Sequence, residues 1–326
     1  MHREMKKILV TGASGQIGSE LTAALRRRYG AENVVAADKK GPPPGGFEID
    51  GPFHTADVND AAGLEQIVVR HDIDSIFHLA AILSATGEKN PQLCWHVNVD
   101  GTRNILELGV RRRMARVVVP SSIAVWGKGV PLERTPQESV LKPATMYGVT
   151  KVCCELLGDY YVARFGLDVR GLRFPGIISH RTLPGGGTTD YAVAIFYEAV
   201  DKGRYTCFVR EDTVLPMMYM PDAIRAIMML AEADFGALKH HSDFNVAAMS
   251  FSAGELAAAI RKHLPDFRIA YEPDYHQAIA DSWPHSIDDS AAREEWGWKP
   301  EWDLDAMTRD MLEHLQRRKT EGRLYG

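Results

Sequence analysis

The sequence predicts an α/β fold in which a doubly wound parallel sheet is joined to a smaller C-terminal lobe. Over the first 120 residues, short apolar segments alternate with stretches of helical periodicity. Strands that are apolar throughout indicate a parallel sheet with helices on both faces. A glycine-rich turn also stands between the first apolar segment and the first helical one. Composition agrees with this class, since 326 residues with 45% hydrophobic and 25% charged side chains are typical of a globular protein.

The elements are predicted from these patterns in chain order. The first helix is predicted at Ile17–Tyr29, and the glycines and prolines of Gly41–Gly51 indicate a loop. The segments with continuous apolar composition, which we predict to be the parallel strands, are Lys7–Thr11, Asn33–Asp38, Ser75–Ala80 and Arg116–Ser121.

The regular alternation stops after Phe174, and this divides the chain into two units. Helices are predicted at Tyr191–Val200 and Ala223–Ala233, and we expect the second helix to return to the first unit. The large unit is therefore predicted to contain residues 1–174 and about 216–248, and the smaller lobe about 175–215 and 249–326.

Composition and charge exclude several function classes. With 38 basic and 43 acidic residues the net charge is −5, which provides no basic surface for nucleic acid. No window approaches 18 uninterrupted apolar residues, so no membrane partner is expected. The polar start at Met1–Lys7 predicts no secretory signal, and we expect a cytoplasmic location. No metal site is expected, because the cysteines lack the paired spacing of zinc ligands: Cys94, Cys153, Cys154 and Cys207.

The glycine-rich turn predicts a binding site for a dinucleotide. Its sequence, G-A-S-G-Q-I-G, follows a predicted strand and opens a predicted helix. Glycines allow the backbone to turn tightly and approach a pyrophosphate, and the start of the helix offers free N–H groups to the negative charge. The residues expected to contact the cofactor here are Gly12, Gly15, Gln16, Ile17 and Gly18.

Asp38 favours NAD over NADP as that dinucleotide. It ends the second predicted strand, 20 residues after Gly18, where a carboxylate accepts hydrogen bonds from the adenosine ribose. The same carboxylate would repel a 2′-phosphate. Lys39 and Lys40 follow directly and weaken the argument, since either ammonium is able to pair with that phosphate.

A candidate catalytic group combines Ser122, Tyr147 and Lys151. Tyr147 and Lys151 are four residues apart, so a helix places them on one face. A phenol is a poor base at neutral pH, and a neighbouring ammonium stabilises its phenolate form. The same spacing occurs on ordinary amphipathic helices. Here Ser121-Ser122 ends a predicted parallel strand, the end at which such sheets place their sites, and this favours catalysis.

Six motifs resemble those of the extended short-chain dehydrogenases/reductases, the group that includes the nucleotide-sugar epimerases. They cover the first half of the chain in the order and spacing of that group, and they are Thr11–Gly18, Asp57-Val58, His78–Ala81, Asn98–Thr102, Ser121–Gly127 and Tyr147–Lys151. The resemblance implies a Rossmann fold and NAD as the cofactor. It also implies further cofactor contacts at Asp57, Val58, Leu79, Ala80, Ala81, Asn98, Tyr147, Lys151 and Pro175.

Within that group, the chain resembles the short-chain type of L-threonine 3-dehydrogenase. The stretches that carry this resemblance are Leu83–Glu88, Arg173–Ile178, Pro184–Ala192 and Asp281–Pro284. The epimerases have an asparagine where this chain has Gly176, and the segment Pro216–Pro221 lacks their arginine for the nucleotide diphosphate. The resemblance therefore implies a small amino-acid substrate. Its expected contacts are Ser84, Ser122, Tyr147, Gly187, Thr188, Thr189 and Trp283.

The reaction implied is NAD-dependent oxidation of L-threonine to L-2-amino-3-oxobutanoate. Tyr147 is expected to act as the base, Lys151 to support it and hold the nicotinamide ribose, and Ser122 to orient the substrate hydroxyl. Asn98 is expected to lie behind Lys151. The resemblance also suggests a homodimer. Two other interpretations stay open: an NAD-dependent nucleotide-sugar epimerase or dehydratase with the same three residues, and a non-catalytic regulator that senses NAD.

Overall fold

The computed structural model describes residues 4–43, 45–183, 185 and 187–325. Its strands are β1 (Ile8–Thr11), β2 (Val34–Asp38), β3 (Phe53–Thr55), β4 (Ser75–His78), β5 (Arg116–Val118), β6 (Ser121–Ser122), β7 (Val169–Arg170), β8 (Leu172–Phe174), β9 (Gly176–Ile178), β10 (Arg204–Cys207), β11 (Val214–Tyr219), β12 (Phe244–Asn245), β13 (Met249–Ser252) and β14 (Arg268–Tyr271). Its helices are α1 (Gln16–Tyr29), α2 (Ala61–Arg70), α3 (Ser84–Lys89), α4 (Pro91–Trp95), α5 (Gly101–Arg112), α6 (Met146–Phe165), α7 (Tyr191–Lys202), α8 (Met220–Glu232), α9 (Ala253–Arg261), α10 (Tyr275–Ala280), α11 (Ser290–Trp296) and α12 (Leu304–Thr320).

A six-stranded parallel sheet forms the centre of the fold, in the order β3-β2-β1-β4-β5-β7. The residues of β1, β4 and β5 are buried throughout, which explains their continuous apolar composition. The strand order reverses between β1 and β4, and a doubly wound sheet binds its ligand at this switch point. The predicted α/β fold is confirmed.

Helices cover both faces of this sheet. On one face, α1 and α8 pack together through residues such as Leu21, Leu25, Ile227 and Leu230. On the other face, α2, α5 and α6 contribute a separate apolar cluster that includes Leu64, Ile105 and Tyr161. A third cluster joins the C-terminal elements to the turn after β6. The division into two units with the boundaries given above stays a prediction.

The predicted strand Arg116–Ser121 is interrupted. β5 ends at Val118, and Pro120, which has no backbone N–H to donate, separates it from β6. β6 then leaves the central sheet and pairs with β8, with Ser121 opposite Arg173 and Ser122 opposite Phe174. The chain therefore carries Ser122 away from the edge of the central sheet and towards the C-terminal elements.

Candidate active site

The glycine-rich turn after β1 is packed too closely to hold side chains at two of its positions. Gly12 has φ +68°, and a Cβ atom there would lie 2.6 Å from the carbonyl carbon of Leu79. A Cβ atom on Gly18 would lie 2.9 Å from the Cα atom of Ala13. The glycines at these two positions are therefore required by the close approach of the backbone, as the sequence indicates.

The first turn of α1 is free to bind an anion. Gly15 occupies the N-cap position, and among the described residues no side chain caps this helix and no acidic residue lies in its first turn. The backbone N–H groups of a first helical turn have no acceptors within the helix, and the helix dipole adds positive potential there. Gln16, Ile17 and Gly18 form this turn, so the cradle fits the pyrophosphate of NAD.

Asp38 lies beside this turn, at the end of β2. Its Oδ2 accepts a hydrogen bond from the backbone N–H of Ser14 at 3.1 Å, and its Oδ1 accepts one from that of Lys40 at 2.9 Å. The ammonium of Lys39 lies 2.7 Å from Oδ2 of Asp57 and holds the pKa of that carboxyl below its usual range. Lys39 is thus paired with another carboxylate, which weakens the case that it binds a 2′-phosphate.

Of the other residues expected at the cofactor, Leu79 and Ala80 lie against the glycine-rich turn. Leu79, Ala80 and Ala81 are half-buried and follow β4 directly, and the N–H of Leu79 donates to the carbonyl of Thr11 at 2.9 Å. Val58 is buried, and its Cγ2 lies 2.8 Å from the position that a Cβ atom would take at Gly101. Pro175 lies farther along the chain, buried between β8 and β9.

Asn98 does not contact Lys151 directly. It lies on a π-helical turn, His96–Asp100, that joins α4 to α5. Its Oδ1 accepts from the N–H of Ile82 at 2.7 Å, and its Nδ2 donates to the carbonyl of Ile82 at 3.1 Å and to Oγ1 of Thr150 at 2.9 Å. Asn98 thus fixes the segment after β4 to α6 through Thr150, a partner that the sequence patterns did not indicate.

Ser122, Tyr147 and Lys151 lie on two segments that contact each other. Ser122 ends β6, and its Oγ accepts from the N–H of Ala124 at 3.2 Å. Tyr147 lies in the first turn of α6. Lys151 follows one turn later, and its Nζ lies 5.6 Å from the centroid of the Tyr147 ring. The same Nζ donates to the carbonyl of Pro120 at 2.7 Å, so the buried ammonium joins α6 to the segment that carries Ser122.

Two features hold the start of α6 in place. Thr145 is its N-cap, and Oγ1 of Thr145 accepts from the N–H of Gly148 at 3.1 Å. Oε1 of Glu88, on α3, accepts from the N–H of Met146 at 2.7 Å. Glu88 belongs to Leu83–Glu88, one of the stretches that resemble the threonine dehydrogenases. That stretch gave no indication that the carboxylate of Glu88 would bind the start of α6.

Three of the residues expected to contact the substrate precede α7. Thr188 is buried, and its Oγ1 has no hydrogen-bond partner among the described residues. The N–H of Gly187 donates to Oδ2 of Asp190 at 2.8 Å, just before α7. The Cβ and Cγ2 atoms of Thr189 both lie 2.8 Å from the position that a Cβ atom would take at Gly176. Pro184 and Gly186 of the same loop lie outside the described residues.

Ser84 and Trp283 complete the expected substrate contacts. Ser84 is buried and begins α3, after the C-terminal end of β4. Trp283 is buried in the apolar cluster that also contains Ile123 and Trp126 of the turn after Ser122. The structure therefore brings Trp283 into the same core as the turn after Ser122, although the two are far apart in the sequence.

His78 is a neutral buried group at this site. Its Nδ1 lies 2.7 Å from Oγ1 of Thr11, and its Nε2 has no partner among the described residues. Burial, with a further contribution from the ammonium of Lys151, lowers the pKa of His78 to about 3. An imidazole with this pKa is not protonated at neutral pH, so it does not supply the reaction with a proton.

One cluster elsewhere contains metal-ligand types: His180, Asp310 and His314 have ligand atoms within 4.8 Å of one another. The two imidazole rings are stacked 3.9 Å apart with an angle of 2° between their planes, so they do not direct their lone pairs at a common point. The guanidinium of Arg317 donates to Nδ1 of His314 at 2.7 Å, and that of Arg318 donates to the carbonyl of His180 at 2.6 Å. This arrangement is unfavourable for a cation.

Comparison with known proteins identifies the family. The model of the NAD dependent epimerase/dehydratase family matches residues 8–247, which is more than half of the chain. The chain therefore belongs to the NAD-dependent epimerase/dehydratase family, and NAD is its cofactor. In the part of the chain that the structure describes, no helix has the length and apolar composition needed to cross a membrane.

The similar proteins include uncharacterized and characterised enzymes. An uncharacterized epimerase/dehydratase of Staphylococcus haemolyticus (strain JCSC1435) is 48% identical over 316 residues, which cover 97% of this chain and 99% of the relative. The solved L-threonine dehydrogenase from Clostridium difficile is 50% identical, with a TM-score of 0.93 over 97% of this chain and 99% of that one. A monomeric L-threonine 3-dehydrogenase from a metagenome is 48% identical, with a TM-score of 0.91 over 95% and 99%. Together these matches support an NAD-dependent oxidoreductase.

Proposed function

We propose that this enzyme oxidises the side-chain alcohol of L-threonine to the ketone of L-2-amino-3-oxobutanoate. The observation that carries the proposal is the grouping of Ser122, Tyr147 and Lys151, in which the lysine bridges the serine segment and the tyrosine helix. Two similar structures, each about half identical to this chain, are L-threonine dehydrogenases. The family name alone would equally suggest an epimerase or dehydratase.

In the proposed mechanism each of the three side chains has one task. Tyr147 acts as phenolate and takes the proton of the substrate hydroxyl, while Ser122 donates a hydrogen bond to the same oxygen and orients it. The ammonium of Lys151 stabilises the phenolate and holds the nicotinamide ribose. Bound NAD supplies the acceptor for the hydride that leaves the alcohol carbon. The C–O single bond thereby becomes a carbonyl, and one proton is released to solvent.

We propose that the cofactor is held at three places around the central sheet. The turn of Gly12, Gly15, Gln16, Ile17 and Gly18 binds the pyrophosphate, and Asp38 binds the adenosine ribose. The uncapped start of α1 supports the first of these assignments, and the position of Asp38 beside Ser14 supports the second. The remaining contacts, as the resemblance implies, are Asp57, Val58, Leu79, Ala80, Ala81, Asn98 and Pro175.

We propose that the ends of the amino-acid substrate are bound by Ser84, Gly187, Thr188 and Thr189, with Trp283 as an apolar wall for the methyl group. The buried, unpartnered Oγ1 of Thr188 supports this proposal. A buried hydroxyl without a partner destabilises a protein by about 1–3 kcal/mol, and a substrate carboxylate or ammonium would supply the missing bond.

The formation of NADH at 340 nm tests the reaction. We expect NADH to accumulate with L-threonine and NAD, and not with UDP-sugars. An epimerase would convert a UDP-sugar without net NADH, and no reaction with any alcohol would support the regulator instead. Tyr147→Phe is expected to lower kcat by about 10²- to 10⁴-fold while NAD still binds. A variant with near-normal turnover would refute Tyr147 as the base.

We also propose a homodimer that forms through the outer face of α6. The inner face of this helix is buried, while Val149, Leu156, Tyr160 and Phe165 are exposed. Several large apolar side chains exposed on one helix are typical of a surface that a partner covers. Light scattering after gel filtration should give twice the chain mass, and Leu156→Lys should halve it. A wild-type monomer, as in the similar metagenome enzyme, would refute the proposal.

We propose a cytoplasmic location because the cysteines carry free thiols. Cys94, Cys153, Cys154 and Cys207 all carry free thiols in the structure, although Cys153 and Cys154 are adjacent. Chains of oxidising compartments typically pair their cysteines. Fractionation of producing cells should recover the protein with cytoplasmic markers, and recovery with the exported fraction would contradict this.

A further inference from the structure

A buried ion pair lies directly behind the candidate catalytic group. The guanidinium of Arg173 binds the carboxylate of Glu155 in a bidentate manner, with Nε to Oε1 at 2.9 Å and Nη2 to Oε2 at 2.8 Å. The two side chains are only 3% and 4% exposed. Bidentate arginine–carboxylate pairs fix both distance and orientation, which a lysine cannot reproduce.

The pair connects α6, β6 and β8, which carry or directly precede the three proposed catalytic residues and Pro175. Glu155 lies on α6, one turn after Lys151 and two turns after Tyr147, on the same buried side of the helix. Its Oε1 also accepts a hydrogen bond from Oγ of Ser121, the residue before Ser122. Arg173 lies on β8, opposite Ser121 in the strand register and two residues before Pro175.

Further contacts fix the arginine itself. Nη1 donates to the carbonyl of Gln137 and to Oδ1 of Asn245, each at 3.1 Å, and Nη2 lies 3.2 Å from Oδ2 of Asp243. The guanidinium also lies 5.5 Å from the centroid of the Trp126 ring. Arg173 therefore has partners on every side, and its position is determined by the surrounding chain rather than by Glu155 alone.

We propose that Arg173 and Glu155 are positioning residues that set the placement of Ser122 relative to Tyr147 and Lys151. Neither side chain touches the reacting atoms. The pair holds the end of β6 against α6, because Glu155 binds both the strand opposite β6 and the serine next to Ser122. The proposal rests on the proposed function in that it takes Ser122, Tyr147 and Lys151 as the catalytic group.

A loss of this placement should lower turnover rather than cofactor binding. A displacement of about 1 Å in a catalytic constellation lowers rates by roughly 10²-fold. Most contacts expected for NAD lie at the turn after β1 and at Asp38, which share no hydrogen bond with the ion pair among the described residues. Of the expected NAD contacts, Tyr147, Lys151 and Pro175 lie on segments that the pair joins. Loosening the pair should therefore change kcat while the dissociation constant of NAD stays nearly constant.

The chain contains a matched control for this experiment. Arg170, three residues earlier, is equally buried and binds Asp168 in the same bidentate manner, at 2.7 and 2.8 Å. Its other bonds go to carbonyls at the end of α8, those of Leu230, Ala231 and Ala233. Among the described residues, none of the hydrogen-bond partners of Arg170 is a proposed site residue. Arg170→Lys and Arg173→Lys thus remove the same geometry at two places in one protein.

We expect both substitutions to lower the melting temperature, and only Arg173→Lys to lower kcat, by about 10- to 100-fold relative to Arg170→Lys. The dissociation constant of NAD should stay within about threefold in both. Equal kcat values for the two variants would overturn the proposal, as would an NAD affinity that falls in parallel with kcat. If Arg173→Lys does not fold, Glu155→Gln keeps one acceptor oxygen and is judged by the same criteria.

A crystal structure of Arg173→Lys with NAD tests the positioning role of the ion pair independently of which substrate the enzyme oxidises. The expected result is a change of about 0.5 Å or more in the distance between Ser122 Oγ and Tyr147 Oη, since catalytic groups need placement to within this distance. An unchanged distance would overturn the positioning role. Failure of the wild-type enzyme to oxidise L-threonine would instead refute the proposed substrate, and the crystallographic comparison would still decide the role of the ion pair.

Discussion

Replacement of Asp38 by asparagine should shift the cofactor preference from NAD towards NADP. The substitution keeps the size of the side chain and an oxygen that can accept from the N–H of Ser14, which now binds Oδ2 at 3.1 Å. It removes the negative charge at the expected ribose site. Hydrogen bonds to a charged group contribute about 1.5–3 kcal/mol, so the dissociation constant of NAD should rise by about 10- to 100-fold.

The effect on NADP has the opposite sign. A 2′-phosphate oxygen about 4 Å from the carboxylate is repelled by about 4 kcal/mol per charge pair at an effective dielectric constant of 20, and by less where water screens the pair. Asp38 is half-buried, so part of this repulsion is screened. Asp38→Asn should therefore strengthen NADP binding by at least about tenfold.

Titration calorimetry with both cofactors measures the two changes, and Lys39→Ala serves as the control. Because Lys39 is held by Asp57 at 2.7 Å, its loss should alter the ratio of the two dissociation constants by less than about threefold. An unchanged ratio in Asp38→Asn would refute the assignment of Asp38. A large change in this ratio in Lys39→Ala would show instead that Lys39 binds the 2′-phosphate.

Three further predictions test other parts of the structure. Gly12→Ala should abolish measurable NAD binding, because its Cβ would lie 2.6 Å from the backbone of Leu79. Gly203→Ala is the control: Gly203 has φ +66° and nothing within 4 Å of the added Cβ, so this substitution should only lower the melting temperature. Thr188→Val should raise the melting temperature, because it removes a buried hydroxyl that has no partner among the described residues. It should also raise the KM for threonine at least about tenfold, because this hydroxyl is proposed to bind the substrate. A lower melting temperature with unchanged KM would contradict this. Burial raises the pKa of Asp243 to about 6, so the native state keeps a proton that the unfolded chain loses from about pH 4. This stabilises the fold at low pH by at most about 3 kcal/mol and is lost as the pH rises through 6. The free energy of unfolding of Asp243→Asn, measured in urea, should lack this pH-dependent contribution. Identical pH profiles for the variant and the wild-type protein would contradict the prediction.

The fold was predictable because its determinants are local. Continuous apolar segments such as Ile8-Leu9-Val10 can be covered only by helices on both faces, and the glycine turn follows from the close approach at Gly12 and Gly18. The break at Pro120 was missed because the apolar run continues through Val119. The missing N–H of proline ends the strand there, and this decides that Ser122 joins β8 instead.

The candidate site was less predictable, because many of its contacts join residues far apart in the sequence. Tyr147, Lys151 and Glu155 share one helical spacing, but the function of Glu155 depends on Arg173, which no spacing in the sequence places beside it. The position of Asn98 was also not predictable. Its amide binds Ile82 and Thr150, and this depends on a π-helical turn that residue spacing does not reveal.

The helix α6 shows why the assembly and the chemistry of this protein are best measured together. Its inner side carries Tyr147, Lys151 and Glu155, and its outer side exposes Leu156 and Tyr160. Leu156 lies nine residues after Tyr147, about 14 Å along the helix axis, so a partner at Leu156 would act on Tyr147 through the position of the whole helix. Thr145, Glu88 and the Glu155–Arg173 pair already fix this helix within one chain. These contacts require no second subunit, so a monomeric Leu156→Lys variant should keep its turnover. If the monomer instead loses activity with its NAD affinity intact, the interface itself contributes to the placement of Tyr147.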